Sequence, residues 1–335
     1  MKLATDSDDL APPSLLRIGT RGSKLALWQA HWVRDRLLEL GVAEVTLEII
    51  KTQGDRIQDV ALSEVGGKGL FVKELEEALL DGRVDLAVHS MKDMPSELPA
   101  GLTLAAVPVR ADPRDAWVLP QPADSVADPV ASLPLLDRAT ILALPHAATI
   151  GTSSLRRAAQ LLVLRPDLTI IPLRGNVDTR LRKLDAGEGG VSAIILACAG
   201  LSRLGLGHRI SAAIPEELMR PAVGQGALAI QTRQDDPRVR SVVDRMDDPD
   251  TRATTTAERA FLARLEGNCQ VPIAAHATLD GDTLTLDALL ADPSGKTLVT
   301  DHRRGPRAQA AALGLAAAEA LLDNGGKDLM AARGS

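Results

Sequence analysis

The chain has 335 residues, 45% of them hydrophobic and 24% charged, enough for two or three domains with cores of their own. Its formal net charge of -6 sets the molecule as a whole against nucleic acid and anionic membranes, so an anionic ligand must be met by locally concentrated Lys and Arg. Three Trp, two Phe and no Tyr leave little material for stacking platforms along a single nucleic-acid strand.

Met1 to Ser14 is polar and acidic without an apolar segment, and reads as a flexible tail rather than a secretory signal. No later run has the length and apolarity of a membrane span. From Leu16 onward, short apolar strands alternate with helical patterns. Strands are predicted at Leu16–Thr20, Val45–Lys51, Val84–His89, Thr149–Thr152, Leu168–Leu173 and Val191–Ala197. Helices are predicted at Lys24–Leu40, Gly69–Leu80, Leu155–Leu164, Val177–Ala186 and Gly200–Leu204. This rhythm predicts an α/β fold with mixed, mostly parallel sheets. The segment Pro108–Ala148 is rich in proline (Pro113, Pro120, Pro122, Pro129, Pro134, Pro145) and predicts linkers, loops and a domain boundary. After Pro249 the pattern changes to a helix at Thr251–Leu265, strands near Ile273–Leu279, Thr283–Ala291 and Thr297–Asp301, and a closing helix at Ala308–Leu322. That order predicts a small α+β C-terminal domain.

Ligands of open α/β sheets bind beyond the carboxyl ends of the strands. Arg21 follows the first strand, and Lys92 with Asp93 follows the third. Arg156 and Arg157 follow Thr149–Thr152, Arg174 follows Leu168–Leu173, and Arg203 follows Val191–Ala197. A single such arginine is ordinarily a solvated surface residue; basic side chains after five strands predict an anion site. Ser153 or Ser154 caps the helix that follows, which puts Arg156 and Arg157 in its first turn, where cations oppose the helix dipole unless an anion docks there. Guanidinium groups pair with carboxylates as readily as with phosphates, so this pattern alone leaves both ligand classes open.

The run Gly66-Gly67-Lys68-Gly69 lacks the spacing and the following Ser or Thr of a nucleotide P-loop. The six histidines show no metal-ligand spacing, and no metal site is expected. Asp93, at the turn after a buried strand and beside Lys92, is the candidate catalytic carboxylate, able to donate a proton or to stabilise a cation. Its structural alternative is a turn-forming Asp. Two cysteines cannot build a disulfide framework and indicate a reducing compartment. Cys198 at the end of an apolar strand reads as a packed thiol, whereas Cys269, in a loop between helix and strand, reads as a nucleophile or attachment point.

Several segments together resemble the porphobilinogen deaminase (hydroxymethylbilane synthase) family. They are Thr20-Arg21-Gly22-Ser23, Val65-Gly66-Gly67-Lys68-Gly69-Leu70-Phe71, His89-Ser90-Met91-Lys92-Asp93 and Gly151-Thr152-Ser153-Ser154-Leu155-Arg156-Arg157. Leu173-Arg174-Gly175-Asn176-Val177, Pro221-Ala222-Val223-Gly224-Gln225-Gly226 and Cys269-Gln270-Val271-Pro272 follow in family order. The resemblance runs from Leu16 to Leu329. It implies two lobes like those of periplasmic binding proteins, residues 15–110 with 221–246 and residues 111–220, and a C-terminal domain, 247–335, that carries the cofactor. It implies a covalent dipyrromethane on Cys269 through a thioether. Four porphobilinogen molecules would be condensed onto it head to tail with loss of ammonia, and hydroxymethylbilane released.

In that comparison Asp93 matches the catalytic acid. Arg21, Arg156, Arg157, Arg174, Arg180 and Arg203 match carboxylate-binding arginines, and Ser23, Lys68, Ser90, Lys92, Thr152, Ser154 and Asn176 complete the cofactor and substrate contacts. A cytoplasmic monomer without nucleic-acid or membrane partners is expected. The chain departs from the family pattern at Glu64, where a lysine is usual, and at Asn268, where glycine is usual. The stretch 120–148 reads as a surface insertion. A binding protein for a small polyanion and an inactive homologue are the rival readings; the first leaves Asp93 and Cys269 without a purpose.

Overall fold

A computed structural model describes residues 11–56, 69–121, 133–265 and 271–331. The chain divides into two compact units, Met1–Arg110 with Ala227–Arg252, and Ala111–Gly226 with Ala253–Ser335.

The first unit is built on a five-stranded sheet ordered β2 (Glu44–Ile49), β1 (Leu15–Thr20), β3 (Leu86–Ser90), β10 (Leu228–Arg233) and β4 (Leu102–Ala106). β1 pairs in parallel with β2 and β3, and β10 lies antiparallel between β3 and β4. Helix α1 (Lys24–Glu39) starts at Ser23, whose hydroxyl accepts the Ala26 N–H at 3.3 Å and so satisfies one of the donors left open at a helix start. Its Ala30, Val33 and Leu37 recur at helical spacing and pack with Leu16, Ile18, Leu86 and Val88 on one face of the sheet. A one-turn helix, α2 (Gln53–Arg56), follows β2. On the other face, α3 (Lys73–Leu80) buries Leu75, Ala78 and Leu79 against Val84 and Ala87. The sequence predicts this helix from Gly69, but Gly69 has φ +83°, a left-handed conformation that cannot belong to the helix, and the start moves to Lys73.

The α/β part of the second unit repeats the plan: β7 (Thr169–Ile171), β6 (Thr149–Gly151), β8 (Ala193–Ala197), β5 (Asp115–Val118) and β9 (Ala212–Ile214). β6 is parallel to β7 and β8, and β5 is antiparallel to β8 and β9. The helices here are α4 (Arg138–Leu142), α5 (Leu155–Leu164), α6 (Val177–Asp185) and α7 (Cys198–Arg203). β5 corrects the sequence reading, because it lies inside the proline-rich stretch assigned to linkers and loops. All four of its residues are buried. A strand covered on both faces shows no alternation, and four residues are too few to betray a period. β4, β9 and β10 escape the sequence for the same reason of length or context.

The rest of the second unit is an antiparallel meander of β11 (Ile273–Asp280), β12 (Thr283–Ala291) and β13 (Leu298–Pro306), read correctly as strands. The chain reaches it through α8 (Pro237–Val243) and α9 (Pro249–Leu265), and closes with α10 (Ala310–Leu321) and α11 (Lys327–Ala331). Ala257 and Phe261 of α9 and Ala317 and Leu321 of α10 pack on the face bearing Leu284, Leu286 and Leu290. Ala274, Leu289 and Ala291 turn the other way and meet Ala159 of α5, as the two-residue period of a strand requires. Among the described residues no helix is long and apolar enough to cross a membrane.

Candidate functional site

In the first unit the carboxyl ends of β1 and β3 open onto a pocket. β3 ends at Ser90 and continues as a single tight turn, Met91–Asp93, which leaves Asp93 exposed on the pocket wall with Lys92 beside it. Arg21, Ser23, Gln29 and Phe71 line the same pocket. The Arg21 guanidinium lies 4.0 Å from the centre of the Phe71 ring and donates from Nε to the Asp55 carboxylate at 3.2 Å. Burial alone would raise the Asp55 carboxyl, but the bonds from Arg21 and Thr52 hold it below the usual carboxylate range. Gln29 on α1 donates to the Ser90 hydroxyl at 2.8 Å. On the opposite face of the strand, His89 Nε2 lies 3.0 Å from Gln231 Oε1, and Gln231 Nε2 donates to Glu76 at 2.9 Å. Burial, with Arg21 adding to it, pushes His89 down to about 4, so its imidazole is neutral at physiological pH.

In the second unit, Arg156 and Arg157 occupy the first turn of α5, as the sequence indicates, with Ser154 as the cap residue. Their surroundings differ from the expectation. Both side chains are buried, and both grip Asp115, the first residue of β5: Arg156 at 2.7 and 3.1 Å, Arg157 at 2.8 and 3.0 Å. Burial would raise Asp115, but the two guanidinium charges prevail and hold its carboxyl far below the usual range. An internal carboxylate therefore supplies the anion that the dipole argument demanded at this helix start. The two arginines also donate to the main-chain carbonyls of Arg220 (2.6 Å) and Ile195 (2.9 Å).

Beside this clamp lie further arginines. Burial lowers Arg180 to about 10, with the charges of Arg157 and Arg174 pushing the same way, and burial lowers Arg203 to about 10. Arg180 donates to the Gly175 carbonyl at 2.9 Å and Arg203 to the Gly226 carbonyl at 2.7 Å. Cations crowded and desolvated in this way are suited to a ligand that brings several negative charges, and a group bearing several carboxylates fits the donor set. Thr152 is buried and accepts the Ser154 N–H at 3.2 Å, and Asn176 stands just before α6 without a side-chain capping bond. Cys198 is fully buried at the start of α7, and burial pushes its thiol up to about 12, as fits a packed and inert sulfur.

The structure thus gathers Arg21, Ser23, Ser90 and Asp93 around one pocket of the first unit. In the second unit it brings Arg156, Arg157, Arg174 and Arg180 within electrostatic reach of one another and sets Arg203 against the Gly226 carbonyl, next to Gln225. Lys68 and Cys269, with the departures Glu64 and Asn268, lie outside the described residues. Sequence reasoning missed Asp55, Asp115, Gln29 and the orienting role of Gln225, whose amide donates to Asp115 at 3.0 Å. Asp115 carries no local signal: the arginines it clamps lie 41 and 42 positions away.

Two family models match the chain, "Porphobilinogen deaminase, dipyromethane cofactor binding domain" over residues 16–241 and "Porphobilinogen deaminase, C-terminal domain" over residues 253–323. A porphobilinogen deaminase from Syntrophotalea carbinolica is 51% identical over 321 residues, covering 95% of this chain and 96% of its own. Relatives of the same name from Geobacter sulfurreducens (49% identity, 94% of each chain) and Roseiflexus castenholzii (51%, 94% of this chain and 98% of its own) match as fully. Among solved structures, a TRAP periplasmic solute binding protein from Desulfovibrio salexigens aligns at 11% identity over 70% of this chain and 72% of its own, with a TM-score of 0.38.

Proposed function

The chain belongs to the porphobilinogen deaminase family, and on that premise we propose how its own residues carry the family's reaction. It is a transferase of tetrapyrrole synthesis that condenses four porphobilinogen molecules head to tail, with loss of ammonia, onto a dipyrromethane and releases hydroxymethylbilane. The dipyrromethane, when bound, supplies the pyrrole carbon that receives the first substrate.

Cys269 is the attachment point, through a thioether. The burial of Cys198 and its raised thiol support Cys269 over it for that task. Arg156, Arg157, Arg174, Arg180 and Arg203 hold the acetate and propionate side chains of the pyrroles. Arg21 does the same from the first unit, with Ser23, Lys68, Ser90, Lys92, Thr152, Ser154 and Asn176 completing the contacts. Asp93 is the catalytic carboxylate: exposed on its pocket wall, it faces the substrate's pyrrole nitrogen and stabilises the positive charge that develops on porphobilinogen as ammonia leaves. The enzyme works as a cytoplasmic monomer. The observation that most supports this assignment is the closeness of buried Arg157 and half-buried Arg174 to half-buried Arg180, because a polycarboxylate suits cations crowded in this way.

Intact-mass measurement of the purified protein tests the reading. The mass should exceed that of the sequence by one dipyrromethane, and peptide mapping should put the adduct on Cys269. An active protein of unmodified mass, or an adduct on Cys198, would overturn it.

A further inference from the structure

One short turn reaches both Asp115 of the arginine clamp and Arg203, and that turn is held by a buried carboxylate that no step above uses. Glu258 on α9 is fully buried. Its Oε2 accepts the Gly224 N–H at 2.7 Å and its Oε1 accepts the Ala277 N–H of β11 at 2.8 Å. The imidazole of His276 borders it, with Nδ1 3.4 Å from Glu258 Oε1 and Nε2 3.2 Å from Glu216. One carboxylate thereby joins a helix, a strand and the turn.

Three successive residues of the turn divide the work. Gly224 is the one Glu258 holds. Gln225 sends its amide to the Pro113 carbonyl at 2.6 Å and to Asp115 Oδ1 at 3.0 Å, the same oxygen that Arg157 grips. Gly226 offers its carbonyl to Arg203 at 2.7 Å. The backbone has little freedom to compensate elsewhere. Gly226 has φ +89°, and a Cβ there would lie 2.5 Å from the Ala111 carbonyl oxygen. A shift of Gly224 therefore reaches Asp115 with its two arginines through Gln225, and reaches Arg203 through Gly226.

We propose that Glu258 is a positioning residue for the arginine cluster: by fixing Gly224 it sets the turn that orients Asp115, Arg157 and Arg203. The proposal rests on the reading that these arginines receive ligand carboxylates. It adds that their arrangement is preset from the C-terminal sheet before any ligand arrives, which removes an ordering cost from binding.

Glu258→Gln is the test, because the amide has a single acceptor oxygen and turns an N–H toward one of two backbone N–H groups. Two quantities are read on the purified full-length protein. The first is hydrogen exchange at the Arg157 Nε–H and at the Gly224 and Gln225 amides before substrate is added. These should exchange about tenfold faster or more in the variant, while the amides pairing β12 with β13 stay as they were. The second is the split of kinetic constants: the apparent KM for porphobilinogen should rise about tenfold, with kcat changed about threefold or less. A variant that only melts at lower temperature, with Arg157 exchange and KM unmoved, overturns the proposal. Should Glu258→Gln fail to fold, Gln225→Leu leaves the Glu258 bonds in place and cuts the link to Asp115. It should give the same KM rise, and a normal KM in it overturns the proposal equally. Wild-type protein lacking the dipyrromethane mass would sink the functional reading, yet the Arg157 exchange measurement would still decide the role of Glu258.

Discussion

The two five-stranded sheets share a plan, three parallel strands followed by an antiparallel strand that enters after the chain has changed unit, and they use it for opposite electrostatic ends. In the first unit the entering strand β10 brings Gln231, a neutral amide that joins His89 to Glu76. In the second unit the entering strand β5 brings Asp115, whose charge anchors two buried arginines at the start of a helix. The first arrangement leaves a carboxylate, Asp93, presented at the rim. The second arrangement permits a concentration of positive charge that burial would otherwise forbid. The entering strand takes the same place in both sheets but carries its polar residue at a different register: Gln231 lies opposite Ala87 inside β3, and Asp115 opposite Ala197 at the end of β8.

The largest expected effect lies in the second unit. Arg157→Leu removes one of the two cations facing Asp115 and leaves that carboxylate short of compensation in a dry site, which typically costs about 3–5 kcal/mol. The helix dipole alone would predict tolerance; the Asp115 clamp reverses that expectation. Urea unfolding measures it, and a change under about 1 kcal/mol would show that the clamp holds nothing.

In the first unit, Asp93→Asn should do the reverse, sparing stability and striking turnover. For a group aimed at developing charge the loss is about a hundredfold or more in kcat, with KM little changed because the arginines remain. Steady-state kinetics on cofactor-loaded protein decide it; near-normal turnover removes Asp93 from the mechanism.

Acid separates the units next. His89 is neutral in the fold and titrates at about 4 there, against about 6.5 in the unfolded chain. As pH falls below about 6.5 the unfolded chain takes up the proton first, so stability drops until about pH 4 by on the order of 3 kcal/mol. His89→Gln should flatten that limb of a stability–pH curve. Asp115, whose folded carboxyl is held low, contributes stability that is present above the ordinary carboxylate range near pH ~4 and is lost only on further acidification. Asp115→Asn should therefore leave the limb between pH ~4 and ~6.5 unchanged. Ser23→Ala should have the smallest effect, about 1 kcal/mol for a lost helix cap, seen as a small shift in the thermal midpoint.

Much of the site was legible because its signals are local. Ser23 followed by an apolar 3.6-residue period announces α1, and a basic residue directly after an apolar run announces the sheet edge. Arg156 and Arg157 after two serines announce a helix start that wants an anion. Gly69 misled by one turn, since a glycine inside a helical pattern does not reveal the sign of its φ. For Asp93, sequence could supply the turn and its charged neighbour, but the pocket wall required Phe71 and Arg21 to come together from separate segments.

What the amino-acid order determined by itself was the set of longer elements and the family's motifs, because periodicity, caps and turn residues act over a few positions of backbone. Tertiary structure alone decided the central antiparallel strands, the Asp115 clamp, the Gln231 bridge and the Glu258 hold on Gly224. Each of the last three is a buried polar contact between residues tens of positions apart. Its energy arises only once water is excluded, and the partner that satisfies a buried charge leaves no period in the chain around it.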